Sequence, residues 1–300
     1  MSILVVGSVA LDSIRTPFGN RKDILGGSAT YFSIAASFFD KVDIVAAVGE
    51  DFPKKYITLL KGKNIGLEGL EIKKGGKTFR WSGKYEYDLN TAHTIATHLN
   101  VFKNFDPKVP KSLSRPKVLF LANIDPDLQA KVLRQIKRPQ IVACDSMNYW
   151  IENKRASFEK LLDKIDILLL NESEARQFSG ELNLVKAARL IVSFGPKAVV
   201  IKKGEDGVIY FSKRSHFVAP AYLLENVYDP TGAGDTFAGG MIGYLSRVGK
   251  TGDNDIRKAM IYGSIMASFA VEGFSVNKLL DISVTDIRRR YDKYRKITRF

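Results

Sequence analysis

Short apolar runs separated by stretches of helical repeat dominate the chain. Residues 3–9 form an apolar run ending near Gly7-Ser8, which reads as a buried strand, and residues 42–48 form another. The runs at 118–122, 141–144, 167–170 and 198–201 continue the series. Between them lie helical stretches. The stretch 23–39 contains Gly26-Gly27-Ser28 and then a helix with Tyr31, Ile34, Ala35 and Phe38 on an amphipathic face. Another covers 53–61, with Pro53 at its first turn, and others fall near 127–137, 156–162 and 182–192. This alternation predicts βα units, hence a parallel sheet with helices on both faces.

Two regions depart from the pattern. Within 70–104 the chain reads Lys77-Thr78-Phe79-Arg80-Trp81-Ser82-Gly83-Lys84-Tyr85-Glu86-Tyr87, whose short alternation predicts exposed strands outside the main sheet. After Val208-Ile209-Tyr210-Phe211 a loop leads into Asp229-Pro230-Thr231-Gly232-Ala233-Gly234-Asp235-Thr236. Ala238, Met241, Ile242 and Leu245 then recur at helical spacing. With no internal repeat or linker, one domain over 1–300 with a small appended β-structure is expected.

The 300 residues are 45% apolar and 26% charged, as in a soluble globular protein. No apolar run approaches the roughly eighteen residues of a membrane helix. The first residues lack a basic leader pattern, and a lone Cys144 excludes an internal disulfide, so a cytoplasmic protein is expected. His93, His98 and His216 show no metal-ligand spacing. The net charge is +14, and 287–300 supplies six of these charges, seven Lys/Arg less Asp292. A solvated terminal helix accounts for that run; a nucleic-acid partner, the other reading of such charge, finds no motif in support.

Chemistry is expected at the Asp229–Asp235 stretch. Gly232 and Gly234 let a ligand approach the main chain, and successive N–H groups of Gly232, Ala233 and Gly234 at a helix start form a nest for phosphate. Asp235 puts a carboxylate beside that nest, where it could accept the proton of a hydroxyl attacking a phosphoryl group. The plainer alternative is a glycine-rich loop with a helix-capping Asp. Three other loops fail as nucleotide fingerprints. Gly75-Gly76-Lys77-Thr78 has Glu71, and Gly249-Lys250-Thr251 has Tyr244, where a phosphate loop needs its first glycine. A dinucleotide motif through Gly232 and Gly234 would need glycine at Phe237.

Asp-Pro-Thr-Gly-Ala-Gly-Asp at 229–235 resembles the C-terminal signature of the ribokinase (PfkB) family of carbohydrate kinases. Other features agree in order along the chain. Gly26-Gly27 resembles the family's double glycine, and Asp12 stands where the family has an Asp that binds substrate hydroxyls. Asp145-Ser146-Met147-Asn148 resembles its Asp-x-x-Asn pattern, and Asn171-Glu172-Ser173-Glu174 its Asn-x-x-Glu motif. Lys203-Gly204-Glu205-Asp206-Gly207 resembles its Gly-x-x-Gly nucleotide loop. By themselves, Asp12 would be a turn residue, Asn171–Glu174 a capped helix start and 203–207 a hairpin turn.

The resemblance implies an α/β ribokinase-like fold, a mainly parallel central sheet flanked by helices with a small β-lid near 12–20 and 70–104. It implies ATP-dependent phosphorylation of a hydroxymethyl group on a sugar or sugar derivative, with Asp235 as general base and Gly232, Ala233 and Gly234 as the anion hole. Asp12, Gly26, Gly27 and Tyr31 would face the acceptor; Asn171, Lys203, Gly204, Gly207, Thr231 and Gly232 would serve the nucleotide. Glu174 would tune magnesium through water. ATP and Mg2+ are the implied cofactors, a monovalent cation is a further candidate, and an unpaired lid edge would suit a homodimer. No membrane or specific nucleic-acid partner is implied.

Ribokinases proper carry Gly-Gly-Lys-Gly-Ala-Asn at the double glycine, whereas this chain has Gly26-Gly27-Ser28-Ala29-Thr30-Tyr31. Ser28 and Tyr31 thus remove two polar groups of a ribose site. Tyr31, Trp81, Tyr85 and Tyr87 could line a pocket for a planar face, or equally be packing residues of the β-lid or of a dimer contact; the first alternative makes a nucleoside kinase the first rival to a sugar kinase. A non-catalytic sugar or nucleotide sensor is the rival of another class.

Overall fold

The computed structural model describes residues 2–299, so Met1 and Phe300, the ends of the single-domain expectation, lie outside the described residues. The chain begins with β1 (Ile3–Val6), β2 (Ala10–Thr16) and β3 (Gly19–Gly26), then α1 (Ser28–Ala36), β4 (Val42–Gly49), α2 (Lys54–Gly62) and β5 (Ile65–Lys73). β6 (Arg80–Tyr85) and β7 (Ala92–His98) pair antiparallel. Then come β8 (Val118–Leu121), α3 (Pro126–Leu133), β9 (Ile141–Asp145), α4 (Asn148–Asn153), α5 (Arg155–Leu162), β10 (Ile167–Asn171), α6 (Glu172–Ser179), α7 (Leu184–Ser193) and β11 (Ala198–Lys202). β12 (Val208–Ser212) and β13 (His216–Ala219) precede four helices, α8 (Ala233–Val248), α9 (Asp253–Ala270), α10 (Asn277–Asp281) and α11 (Val284–Ile297).

Nine strands form the main sheet in the order β13-β12-β11-β10-β9-β8-β1-β4-β5. It is parallel from β11 to β5, and β12 and β13 add antiparallel at one edge. The strand order reverses around β1, so the carboxyl ends of β1 and β8 flank a crevice of the kind where open α/β sheets bind ligands.

The two faces follow from the period of two along each strand. Ile3, Val5, Phe120, Ala143, Leu169 and Val200 join the core built with α1, α8 and α9. Leu4, Val6, Leu121, Cys144, Leu170 and Ile201 join the opposite core with α5, α6 and α7. Because both faces are covered, these strands read as unbroken apolar runs.

A second sheet, in the order β3-β2-β6-β7, stands apart from the first. Its strands span 10–26 and 80–98, wider than the expected 12–20 and narrower than 70–104. The reason is β5, which pairs with β4 from Val42↔Ile65 to Gly49↔Lys73 and so places 70–73 in the main sheet. As an edge strand with mostly half-buried or exposed residues, β5 lacks the apolar run that marks the others.

Other differences concern boundaries. The first strand stops at Val6, before Gly7-Ser8, and 23–26 belongs to β3, so that α1 begins directly after the double glycine. The helix α1 has all nine residues buried, because α8 covers the side that would otherwise face water. In the basic terminal helix, Arg290 turns inward: it pairs with Glu272 at 2.9 Å and lies 3.5 Å from the centroid of the Phe269 ring. Among the described residues, no helix is long and apolar enough to cross a membrane.

Candidate active site

The strand period that builds the core also builds the site. Continuing the α8-facing phase by one step past the last core residue reaches Asp145 on β9, Asn171 on β10 and Lys202 on β11. Three polar side chains therefore leave the sheet on one face at its carboxyl edge, where α8 begins. Gln129 of α3 fixes the spacing there. Its buried amide donates to the carbonyls of Leu121 (3.2 Å), Ala122 (3.0 Å) and Asp145 (3.1 Å), tying the end of β8 to that of β9.

Asp145 is buried, and its Oδ1 has no hydrogen-bond partner among the described residues. Burial pushes its carboxyl well above the usual range, as does the nearby Asp235, while Lys202 opposes the shift. An enclosed, unpartnered carboxylate oxygen suits a hard cation held through water. Among the described residues no three His, Cys, Asp or Glu converge to ligate a metal directly.

Asn171 and Glu174 form a reciprocal cap on α6. The Glu174 amide donates to Asn171 Oδ1 at 2.8 Å, and the Asn171 amide donates to Glu174 Oε2 at 2.7 Å. The helix-start reading of this motif is thus realised, and it uses only one Glu174 oxygen. Burial raises the Glu174 pKa, against the pull of Lys202.

The Asp229–Asp235 stretch is held from below. Asp229 accepts from the Thr231 amide at 2.9 Å and from the Ser275 amide at 3.2 Å; the Ser275 hydroxyl donates to the Leu25 carbonyl, just before Gly26. Ser275 thereby links the two glycine motifs and adopts φ +58° to do so. The two glycines of the loop are needed for different reasons. Gly232 has φ +74°, and a Cβ there would lie 2.4 Å from the Tyr31 ring. A Cβ on Gly234 would instead lie 2.9 Å from Lys202 Nζ. The Ala233 amide is engaged by the Pro230 carbonyl at 3.1 Å, whereas those of Gly232, Gly234 and Asp235 find no acceptor among the described residues. Three unsatisfied donors at the start of a sixteen-residue helix are suited to an anion.

Asp12 lies on β2, its carboxylate against the backbone of Gly26. Burial raises it to about 7; the Gly27 amide lowers it, and Asp229 and Asp235 raise it. Asp235 is raised to about 6 by removal from water, against the pull of Lys202. Gly27 takes φ +96° and would clash with the Ser8 carbonyl, 2.5 Å away, if it carried a Cβ.

The aromatic residues divide. Tyr31, expected at the acceptor face, is 1% exposed, with its ring beneath Gly232. Tyr85 is 9% exposed and its hydroxyl pairs with that of Thr231 at 3.3 Å, joining the second sheet to the loop. Trp81 is half-buried and Tyr87 is 92% exposed. Ser28 is also turned to structure: its hydroxyl accepts from the Ser8 amide at 3.2 Å, and its amide donates to the Ser8 hydroxyl at 3.0 Å.

Lys203–Gly207 makes the turn from β11 to β12. The Lys203 amide donates to the Gly207 carbonyl at 2.8 Å, with Gly204 at φ +58° and Gly207 at φ +91°. Asn90, from the β6–β7 connection, reaches Glu205 of this turn at 3.4 Å. Lys202, Gln129 and Ser275 were not singled out from sequence as site residues. Lys202 did carry a signal, a charge in the inward phase of a buried strand.

The chain matches the pfkB family of carbohydrate kinases over residues 2–282. It is 30% identical over 251 residues to the cytidine kinase of Thermococcus kodakarensis, covering 82% of this chain and 89% of that one. The nucleoside kinase of Burkholderia thailandensis, solved with inosine, superposes with a TM-score of 0.81 at 17% identity, over 97% of each chain. A ribokinase II candidate from E. coli, solved with ATP and Mg2+, gives a TM-score of 0.80 at 17% identity, over 97% of this chain and 99% of that one. With the match taking in every residue of the candidate site, the chain belongs to the PfkB family of carbohydrate kinases.

Proposed function

We propose that this kinase transfers the γ-phosphoryl group of ATP to the primary hydroxyl of a nucleoside. The observation that carries the reading is the pairing of a carboxylate with an aromatic platform. Asp12 on β2 stands in register with Trp81 on β6, and the indole of Trp81 covers Gly83, where a Cβ would come within 2.2 Å of the ring. The Trp81 Nε1–H is anchored to the Thr94 hydroxyl at 3.2 Å. A carboxylate for sugar hydroxyls beside a fixed, half-buried indole fits a ribose carrying a base better than it fits a free sugar. The likeness to a cytidine kinase over most of both chains supports the same choice. The sugar-kinase expectation therefore gives way here to its nucleoside rival.

In this reading the acceptor lies between Asp12 and Asp235. Its hydroxyl oxygen bonds to the γ-phosphorus as the bond from that phosphorus to the bridging oxygen of ADP breaks. The hydroxyl proton passes to Asp235, which must enter the step ionised. The free amides of Gly232, Gly234 and Asp235 receive charge on the transferring group. The turn at Lys203–Gly207 borders the nucleotide. Asp145 and Glu174 would hold Mg2+ through water, and that ion would neutralise phosphate charge. The second sheet, with Tyr85 on Thr231 and Asn90 at Glu205, would act as a lid that keeps water from competing as acceptor.

A turnover panel of nucleosides, free sugars and sugar acids tests the proposal, with ADP release over the protein's own ATP hydrolysis as the readout. Nucleosides should stimulate release and ribose should be a poor acceptor. Turnover of free sugars alone would return the chain to the sugar kinases. Tight binding without turnover would make it a sensor.

A further inference from the structure

Three buried or half-buried carboxylates, Asp145, Glu174 and Asp235, gather at the carboxyl edge of the sheet, and one cation stands among them. That cation is Lys202, the last residue of β11, in register with Asn171 of β10. It takes part in no ion pair or hydrogen bond among the described residues, whereas its neighbour Lys203 pairs with Asp206 at 3.6 Å. Its ammonium lies over the first turn of α8, so close to Gly234 that a side chain there would displace it. A half-buried lysine whose ammonium has no partner and lies beside Gly234, in the turn that carries the unsatisfied amides, is a site suited to an anion.

We propose that Lys202 is a catalytic residue: its ammonium binds the terminal phosphoryl group of the nucleoside triphosphate against the start of α8. This deepens the kinase reading above and rests on it. The geometry explains why position 234 is glycine although no left-handed φ is required there. The space belongs to the lysine head.

The test is Lys202→Met, which keeps length and removes charge, with Lys202→Gln as a second variant should the first be unstable. Binding of the non-hydrolysable imido analogue of ATP and of ADP is measured by calorimetry with magnesium present, and needs no acceptor. Wild type should prefer the triphosphate, and the variants should lose about tenfold of that preference while ADP affinity stays within about twofold. In turnover, kcat should fall about 100-fold. An unchanged triphosphate preference in a folded variant would reduce Lys202 to a structural counter-ion. Equal weakening of both nucleotides would likewise overturn the assignment. If wild type binds neither nucleotide, the kinase reading itself fails.

Discussion

A Cβ placed on Gly26 would stand 1.8 Å from Oδ2 of Asp12. The bare backbone at the end of β3 and the carboxylate on β2 thus share one small space, and the identity of residue 26 sets where that carboxylate can lie. Gly26 needs no left-handed backbone, since its neighbour Gly27 takes the positive φ of the turn.

Gly26→Ala should therefore act as a displacement of Asp12 rather than as a backbone defect. The acceptor's KM should rise at least tenfold, in line with about 1.5–3 kcal/mol for a lost charged hydrogen bond. Asp12→Ala should raise it similarly, and the double variant should add little, because both changes remove one interaction. The KM for ATP should stay near wild type in all three. Parallel increases in both KM values would place Gly26 and Asp12 in the frame rather than the acceptor site.

The burial of Asp12 carries a stability cost with a defined pH window. Its carboxyl is at about 7 in the folded protein, against an ordinary value of 3.8. Between these limits the folded chain keeps a proton that the unfolded chain has released, so this group makes stability fall as pH rises from about 4 to about 7 and adds no further change above that. Asp12→Asn removes the titration. The variant should gain on wild type as pH rises, by on the order of 4 kcal/mol at most between about pH 4 and pH 8. Urea denaturation of both proteins across that range reads the difference. A constant gap between the two curves would mean that Asp12 is ordinary in the folded state.

The layers of this fold were legible because a sheet covered on both faces leaves unbroken apolar runs, as at Ile167–Asn171 and Ala198–Lys202. The edge strand β5 was not, since one side of it lacks a neighbour and its residues alternate without a buried run. At the site, the glycine motifs announced themselves by composition. The place of Tyr31 was not legible, because an aromatic residue shortly after a glycine pair reads alike whether it faces a ligand or lies beneath a loop. Gln129 was hidden for another reason: its partners are the carbonyls of Leu121, Ala122 and Asp145, and backbone atoms leave no mark in a sequence.

Asp235→Asn should keep the fold and ATP binding while lowering kcat by about 10²–10⁴-fold, the usual range for a general base. The amide fills the same space at the start of α8 but cannot take a proton. In the wild-type enzyme kcat/KM should fall as pH drops through about 6, where Asp235 protonates, with Asp12 contributing a second step near 7. The Asn variant's residual activity should lack the lower step. Activity within threefold of wild type would dismiss Asp235 as the base.

Glu174→Gln separates the two roles that one residue holds. The cap on α6 needs a side-chain oxygen at Glu174 to accept from the Asn171 amide, and glutamine supplies one. Helix stability should thus change by no more than about 1 kcal/mol. Charge is what the change removes, and beside Asp145 that charge matters for a divalent cation held through water. The magnesium concentration for half-maximal rate should rise several-fold, while the acceptor's KM stays within about twofold. Raising magnesium should restore most of the rate, which a disrupted helix start would not allow. An unmoved magnesium titration together with a lowered unfolding midpoint would leave Glu174 with the cap alone.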